Sequence, residues 1–206
     1  MRVRALAIVV SVAAFATAML APAAVARAPR EPKQTVPAAG SFSFSTANGI
    51  LPTWSSEDIA IIGVSPGSVT TASSNLTARV VVPIIAKTGS ANAAGGGFRL
   101  NNTTTGASVR CSNPTIDTRA RVIDCVLPTL RNAALFDIRS IESRSRVVGE
   151  STITWIYRGV VIGINGDEMA DLLNEALSSS AFSPYVTVGR GDLVVTVDRL
   201  TRPAAG

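Results

Sequence analysis

The residues that could do chemistry are few. Cys111 and Cys125 are the only cysteines, at the two ends of CSNPTIDTRARVIDC. Their spacing is not C-x-x-C, and two thiolates in a chain with no histidine make only half of a zinc site. The missing histidine also removes Ser-His-Asp and Cys-His catalysis and the usual axial haem ligand. No serine lies in G-x-S-x-G or S-x-x-K. Carboxylates remain. Asp117 and Asp124 flank the turn between the cysteines and Asp137 follows, which leaves a carboxylate-based carbohydrate hydrolase as one reading. Asp167, Glu168 and Asp171 lie on a helix rather than in a D-x-D-x-D loop, so dipole compensation explains them better than calcium.

Other candidates have plainer readings. Arg190-Gly191-Asp192 spells RGD, but GRGDL has the composition of a connection between two strands. AGGGF lacks G-x-G-x-x-G and precedes a strand, so it is no phosphate cradle. Arg139, Arg144 and Arg146 sit among Glu142 and Glu150 and read as a solvated face, with an anion-binding patch as the sharper alternative. Trp54, Trp155, Tyr157 and Tyr185 could stack on a flat ligand, although their scarcity favours a place in the core. No catalytic, cofactor-binding or metal-ligating residue is assigned, and the chain reads as a non-enzyme without a cofactor.

Residues 1–26 read as a secretory signal peptide. Arg2 and Arg4 precede an uncharged run from Ala5 to Leu20, and Ala24-Val25-Ala26 offers a cleavage site. Export puts the cysteines in an oxidising compartment, where an even count favours a disulfide. A tight turn centred on Thr118 would set Cys111 directly opposite Cys125 on neighbouring strands. Cleavage removes two arginines from a chain of formal net charge +5, leaving a mildly basic surface unsuited to nucleic acid. Residues 27–40 read as a flexible leader and 201–206 as a tail. No later segment is long and apolar enough to span a membrane.

Residues 41–200 must position whatever site exists. Phe42 and Phe44 alternate with serines as in a half-buried strand, and IAIIGVSP, LTARVVVPII and RVIDCVL are further strand candidates. A hairpin should turn at Thr104-Thr105-Gly106. Helical spacing of Met169, Leu172, Leu173, Ala176 and Leu177 predicts one amphipathic helix near 166–178, capped by Asn165 with Glu168 as its box partner. Strand, short helical stretch and strand recur faintly at 41–65 and 156–197. The fold class is mainly β, a β-sandwich or partly open barrel with that helix packed on it.

Several short features carry a resemblance. Gly96-Gly97-Phe98, Asn113, Ile116-Asp117-Thr118, Leu135-Phe136-Asp137, Leu173-Asn174 and Phe182 are similar to segments of uncharacterised secreted actinobacterial β-rich domain proteins. More distantly, this part of the chain resembles the HtaA-type domains of actinobacterial haem-uptake proteins. The resemblance implies a β-rich fold and, as an alternative function, a haem- or small-ligand-binding module. Tyr157 or Tyr185 would then be the iron ligand. The leading expectation is a secreted, non-enzymatic β-domain protein, extracellular or cell-wall associated, acting on an unknown ligand of the cell exterior.

Overall fold

The computed structural model describes residues 34–72, 74, 76–127 and 133–199. The signal-peptide reading, most of the leader and the C-terminal tail fall outside these residues. Among the described residues are twelve strands, all antiparallel: β1 (Thr35–Pro37), β2 (Ala39–Thr46), β3 (Ile59–Val64), β4 (Ser68–Thr71), β5 (Ala78–Thr88), β6 (Ala91–Ala94), β7 (Gly97–Asn102), β8 (Ser108–Asp117), β9 (Val122–Val126), β10 (Ala133–Val148), β11 (Thr152–Ile164) and β12 (Thr187–Asp198). Two helices, α1 (Ile50–Ser56) and α2 (Gly166–Leu177), interrupt them. Strands start earlier than the leader reading allows, because Thr35–Pro37 pairs with the end of β5.

Hydrogen bonding runs β5-β2-β12-β11-β10-β9-β8. The four-residue β6 pairs with both β5 and β8 and closes the circuit. The result is an eight-stranded antiparallel barrel, the closed form of the expected barrel alternative. Closure through β6 gives β5 and β8 the partners that an open sheet would deny them. Its interior follows the period of two: Phe42 and Phe44 from β2 and Leu193, Val195 and Val197 from β12 all point inward and are buried. Pro83 sits beside a bulge in β5 at Ile84/Ala86, as a strand proline requires.

Both helices lie at one end of the barrel, since α1 follows the end of β2 and α2 the end of β11. Trp54 of α1 packs on Phe182 beyond α2, with ring centroids 5.5 Å apart. The helix buries Ala170, Leu173 and Leu177, while Ala176 is exposed, so its apolar stripe is rotated from the expected one. Asn165 does not cap it by a side-chain hydrogen bond. Its amide instead donates to Ala134 O at 3.0 Å, fastening the helix start to β10.

The cysteines form the disulfide, with Cα atoms 4.9 Å apart and both residues buried in the core. The register differs from the expected one. Asp117 pairs with Val122 and Ile116 with Ile123, so the turn is Thr118–Arg121 rather than a tight one on Thr118. A bulge between Ser112 and Thr115, with Asn113 at φ 45°, shifts β8 by one residue, so that Ser112 is opposite Val126 and Thr115 opposite Asp124. Asn113 is held there by Gly96, whose N–H it accepts at 3.2 Å.

Candidate functional site

Among the described residues no helix covers the barrel end away from α1 and α2, and the long β10–β11 hairpin projects there. Trp155 and Tyr157 of β11 stand opposite Val195 and Leu193, so they share the inward face with two fully buried residues. A bulge makes this possible. Tyr157 pairs with Leu193 but Val160 pairs with Gly191, and the extra residue lies at Arg158–Gly159, with Gly159 at φ 59°. Without it, Trp155 and Tyr157 would face away from the side on which Val160, Ile162 and Ile164 are buried.

Across β10, Arg146 is opposite Trp155 and Arg144 opposite Tyr157. The Arg146 guanidinium lies 5.9 Å from the Trp155 ring centroid, and Lys87 Nζ of β5 lies 4.9 Å from it. The β8–β9 turn adds two more cations. Asp117 Oδ1 accepts the N–H groups of Arg119 at 2.8 Å and Ala120 at 2.9 Å, an Asx turn that fixes the loop carrying Arg119 and Arg121. Together Thr118, Arg119, Arg121, Arg144, Trp155 and Tyr157 line an open groove of about 500 Å³ that also includes Ser145 and Arg146.

Lys87 is the buried cation of this region. Burial lowers its pKa below the ordinary 10.5, and Asp117 acts in the opposite direction. Its ammonium donates to Asn92 Oδ1 at 3.0 Å, and the Asn92 amide donates to the carbonyls of Ile116 and Ser90. Those bonds and the indole face offset the loss of water. Arg139–Asp137, Arg158–Asp192 and Arg190–Glu142 form ion pairs outside the groove. No described carboxylate lines the groove. Such a surface can grip an anion through guanidinium forks and stack a flat group on Trp155. It offers no acid–base pair.

The other sequence candidates are placed elsewhere. RGD is not a connection between strands but lies inside β12. Asp192 accepts the N–H of Gly159 at 3.0 Å and Arg190 pairs with Glu142, so its charges are cancelled within the sheet. A Cβ on Gly191 would meet Ser43 O, which explains the glycine. Asp117, Asp124 and Asp137 project from neighbouring positions of β8, β9 and β10, and none lines the groove. Asp124 is raised above the ordinary 3.8 by burial and, second, by Asp117. Asp137 pairs with Arg139 at 3.5 Å. Among the described residues no group of three or more His, Cys, Asp or Glu could hold a metal ion. Trp54 is core, whereas Tyr185 is 82% exposed between α2 and β12. The cluster of Arg139, Arg144 and Arg146 divides: Arg139 donates to the carbonyls of Pro184 and Tyr185, and the other two enter the groove. Lys87 of β5 and the turn residues Arg119 and Arg121 gave no sequence signal, because these distant parts of the chain meet only when the barrel closes.

No protein-family model matches the chain, and no curated protein matches it. Among solved structures, it is similar to the haem-binding protein HtaB from Corynebacterium glutamicum. That match has a TM-score of 0.48 and 11% sequence identity, covering 81% of this chain and 97% of the other.

Proposed function

We propose that this chain is a secreted, non-enzymatic binding module of the bacterial cell exterior whose open barrel mouth takes an anionic ligand. The observation that carries the reading is the meeting of Lys87, Arg119, Arg121, Arg144 and Arg146 around Trp155 and Tyr157, with no carboxylate in the lining. Export is supported by the signal-peptide pattern and by the buried disulfide, which an oxidising compartment sustains. Among the described residues no helix is long and apolar enough to cross a membrane. The test is a titration of residues 27–206 with polyaspartate, followed by tryptophan fluorescence. A change that weakens as salt rises, and that is lost in the Arg144→Glu/Arg146→Glu double variant, is expected. A response independent of salt and of both arginines would end the reading.

One observation favours a haem alternative. Tyr157 lines the groove beside two arginines that could meet carboxylates, while Tyr185 does not line it. The donor set fits haem: Tyr157 would hold its iron, and Arg144 and Arg146 would meet its carboxylates. Bound there, haem would supply iron chemistry that the side chains lack. Haem titration should then give a Soret shift abolished by Tyr157→Phe; no shift in the intact protein removes this alternative.

A further inference from the structure

The wall of the groove formed by β10 has an open edge. β10 pairs with β11 along its length, but with β9 only from Ala133 to Asp137. One further bond, from Ile138 N–H to Arg121 O, ends the ladder on that side. From Ser140 to Val148, nine residues, the outer row of β10 backbone groups has no strand partner among the described residues. At about 3.3 Å per residue this is an edge of about 30 Å. Proteins usually blunt such an edge with proline, lysine, a bulge or a covering segment. Here a bulge between Ile138 and Ser140 opens the stretch and Glu142, Arg144 and Arg146 charge it, but SIESRSRVV holds no proline or lysine, and all of it except Ile141 is exposed. At its far end Val147 and Val148 are 55% and 53% exposed.

We infer that this edge receives an extended acidic polypeptide segment, which adds to the sheet as an antiparallel strand in the column that β9 begins. The inference rests on the anionic-ligand reading of the groove and names the ligand's class. Main-chain hydrogen bonds to β10 would supply affinity without regard to sequence, and alternate side chains would supply selectivity. The charge comes from the groove. Arg144 and Arg146 lie on the same wall, and the turn with Arg119 and Arg121 stands where the added strand would meet β9. Every second side chain of the incoming strand would therefore face guanidinium groups, and a carboxylate at those positions is complementary. A second copy of this chain is a poorer occupant, since pairing β10 with itself brings two basic arms together.

The experiment uses residues 27–206 and a capped nine-residue peptide alternating Glu and Thr. Two derivatives carry N-methyl groups, one on the Glu amides and one on the Thr amides. Methylation keeps the charge but blocks one hydrogen-bonding edge of a strand. In a fixed antiparallel direction each edge presents one face, so only one derivative blocks the phase that aims Glu into the groove. The expected result is parent binding that falls at least tenfold in one derivative and is retained in the other. Arg144→Glu/Arg146→Glu should also abolish it. If all three peptides bind equally and with the same salt dependence, strand addition is overturned while the anionic groove stands. If none binds and polyaspartate also leaves Trp155 unperturbed, both readings fall. Sedimentation showing dimers paired through β10 that exclude the peptide would overturn the inference in favour of self-association.

Discussion

The two ends of the barrel use the same residue type for opposite purposes. At the helix end Trp54 is 2% exposed and packed on Phe182, and the polar groups around it are satisfied locally. Asn174 donates to Phe182 O and accepts the Phe182 N–H, and Asn102 donates to Leu177 O. At the open end Trp155 is only partly buried and lies beside Arg146 and beside Lys87, on which Asp117 acts, with no carboxylate among the described groove-lining residues. One end is built for stability. The other keeps like charges close together, which opposes folding and is explained if a ligand supplies the missing charge. Truncating each tryptophan is the sharpest way to break this comparison. Trp54→Ala should lower unfolding free energy by about 3–5 kcal/mol, as large aromatic deletions in cores do. Trp155→Ala should cost no more than about 2 kcal/mol, while removing the fluorescence response to polyaspartate. Urea denaturation of both variants measures this, and equal losses would show that the open end is also structural core.

The disulfide belongs to neither end but ties β8 to β9 above the turn that carries Arg119 and Arg121. Replacing both cysteines by serine should cost about 3 kcal/mol on the entropic account of a loop of this length. Two buried hydroxyls would add to that cost. The same variant should bind polyaspartate more weakly at a temperature where it is still folded, because the turn is less fixed. Binding unchanged in the folded variant would show that the Asx turn alone positions Arg119 and Arg121.

The sequence carried much of the fold at the level of single elements. Alternation placed Phe42 and Phe44 inward, polar turn residues marked Thr104–Gly106, and apolar spacing gave the α2 boundaries closely. Compartment and parity together gave the cysteine pair. Register was not legible, because bulges reset it at several points along the sheet. Asn113 and Gly159 each shift one strand by a residue, and their unusual φ values follow from partners far along the chain. Barrel closure was hidden for a different reason. It rests on β6, ANAA, a four-residue strand with no hydrophobic alternation to betray it. The groove inherits both difficulties, since Lys87, Arg119, Arg144 and Trp155 come from four separate parts of the chain. Only Arg144 and Arg146 beside a WIY strand hinted at it.

Charge on the outer wall should matter least, and its sign can be worked out. Burial, and then Asp117, raise Asp124 above 3.8, so the folded state holds that proton more tightly than the unfolded chain. Stability contributed by Asp124 is therefore present at low pH. It is lost as pH rises from about 3.8 through the folded value, leaving the ionised carboxylate as a penalty at neutral pH. Lys87 acts in a separate alkaline window. Its folded pKa lies below 10.5, so stability rises with pH between that folded value and 10.5. Asp124→Asn should thus be more stable than the parent at pH 7, by less than about 1 kcal/mol, since Asp124 is only partly buried. The gain should shrink to nothing below pH 3.8, where the parent carboxyl is neutral in both states. Urea midpoints of the two proteins between pH 3 and 8 measure the difference. A gain that persists unchanged at pH 3 would assign it to packing of the amide, and would leave the outer wall with no electrostatic share in the contrast between the two ends.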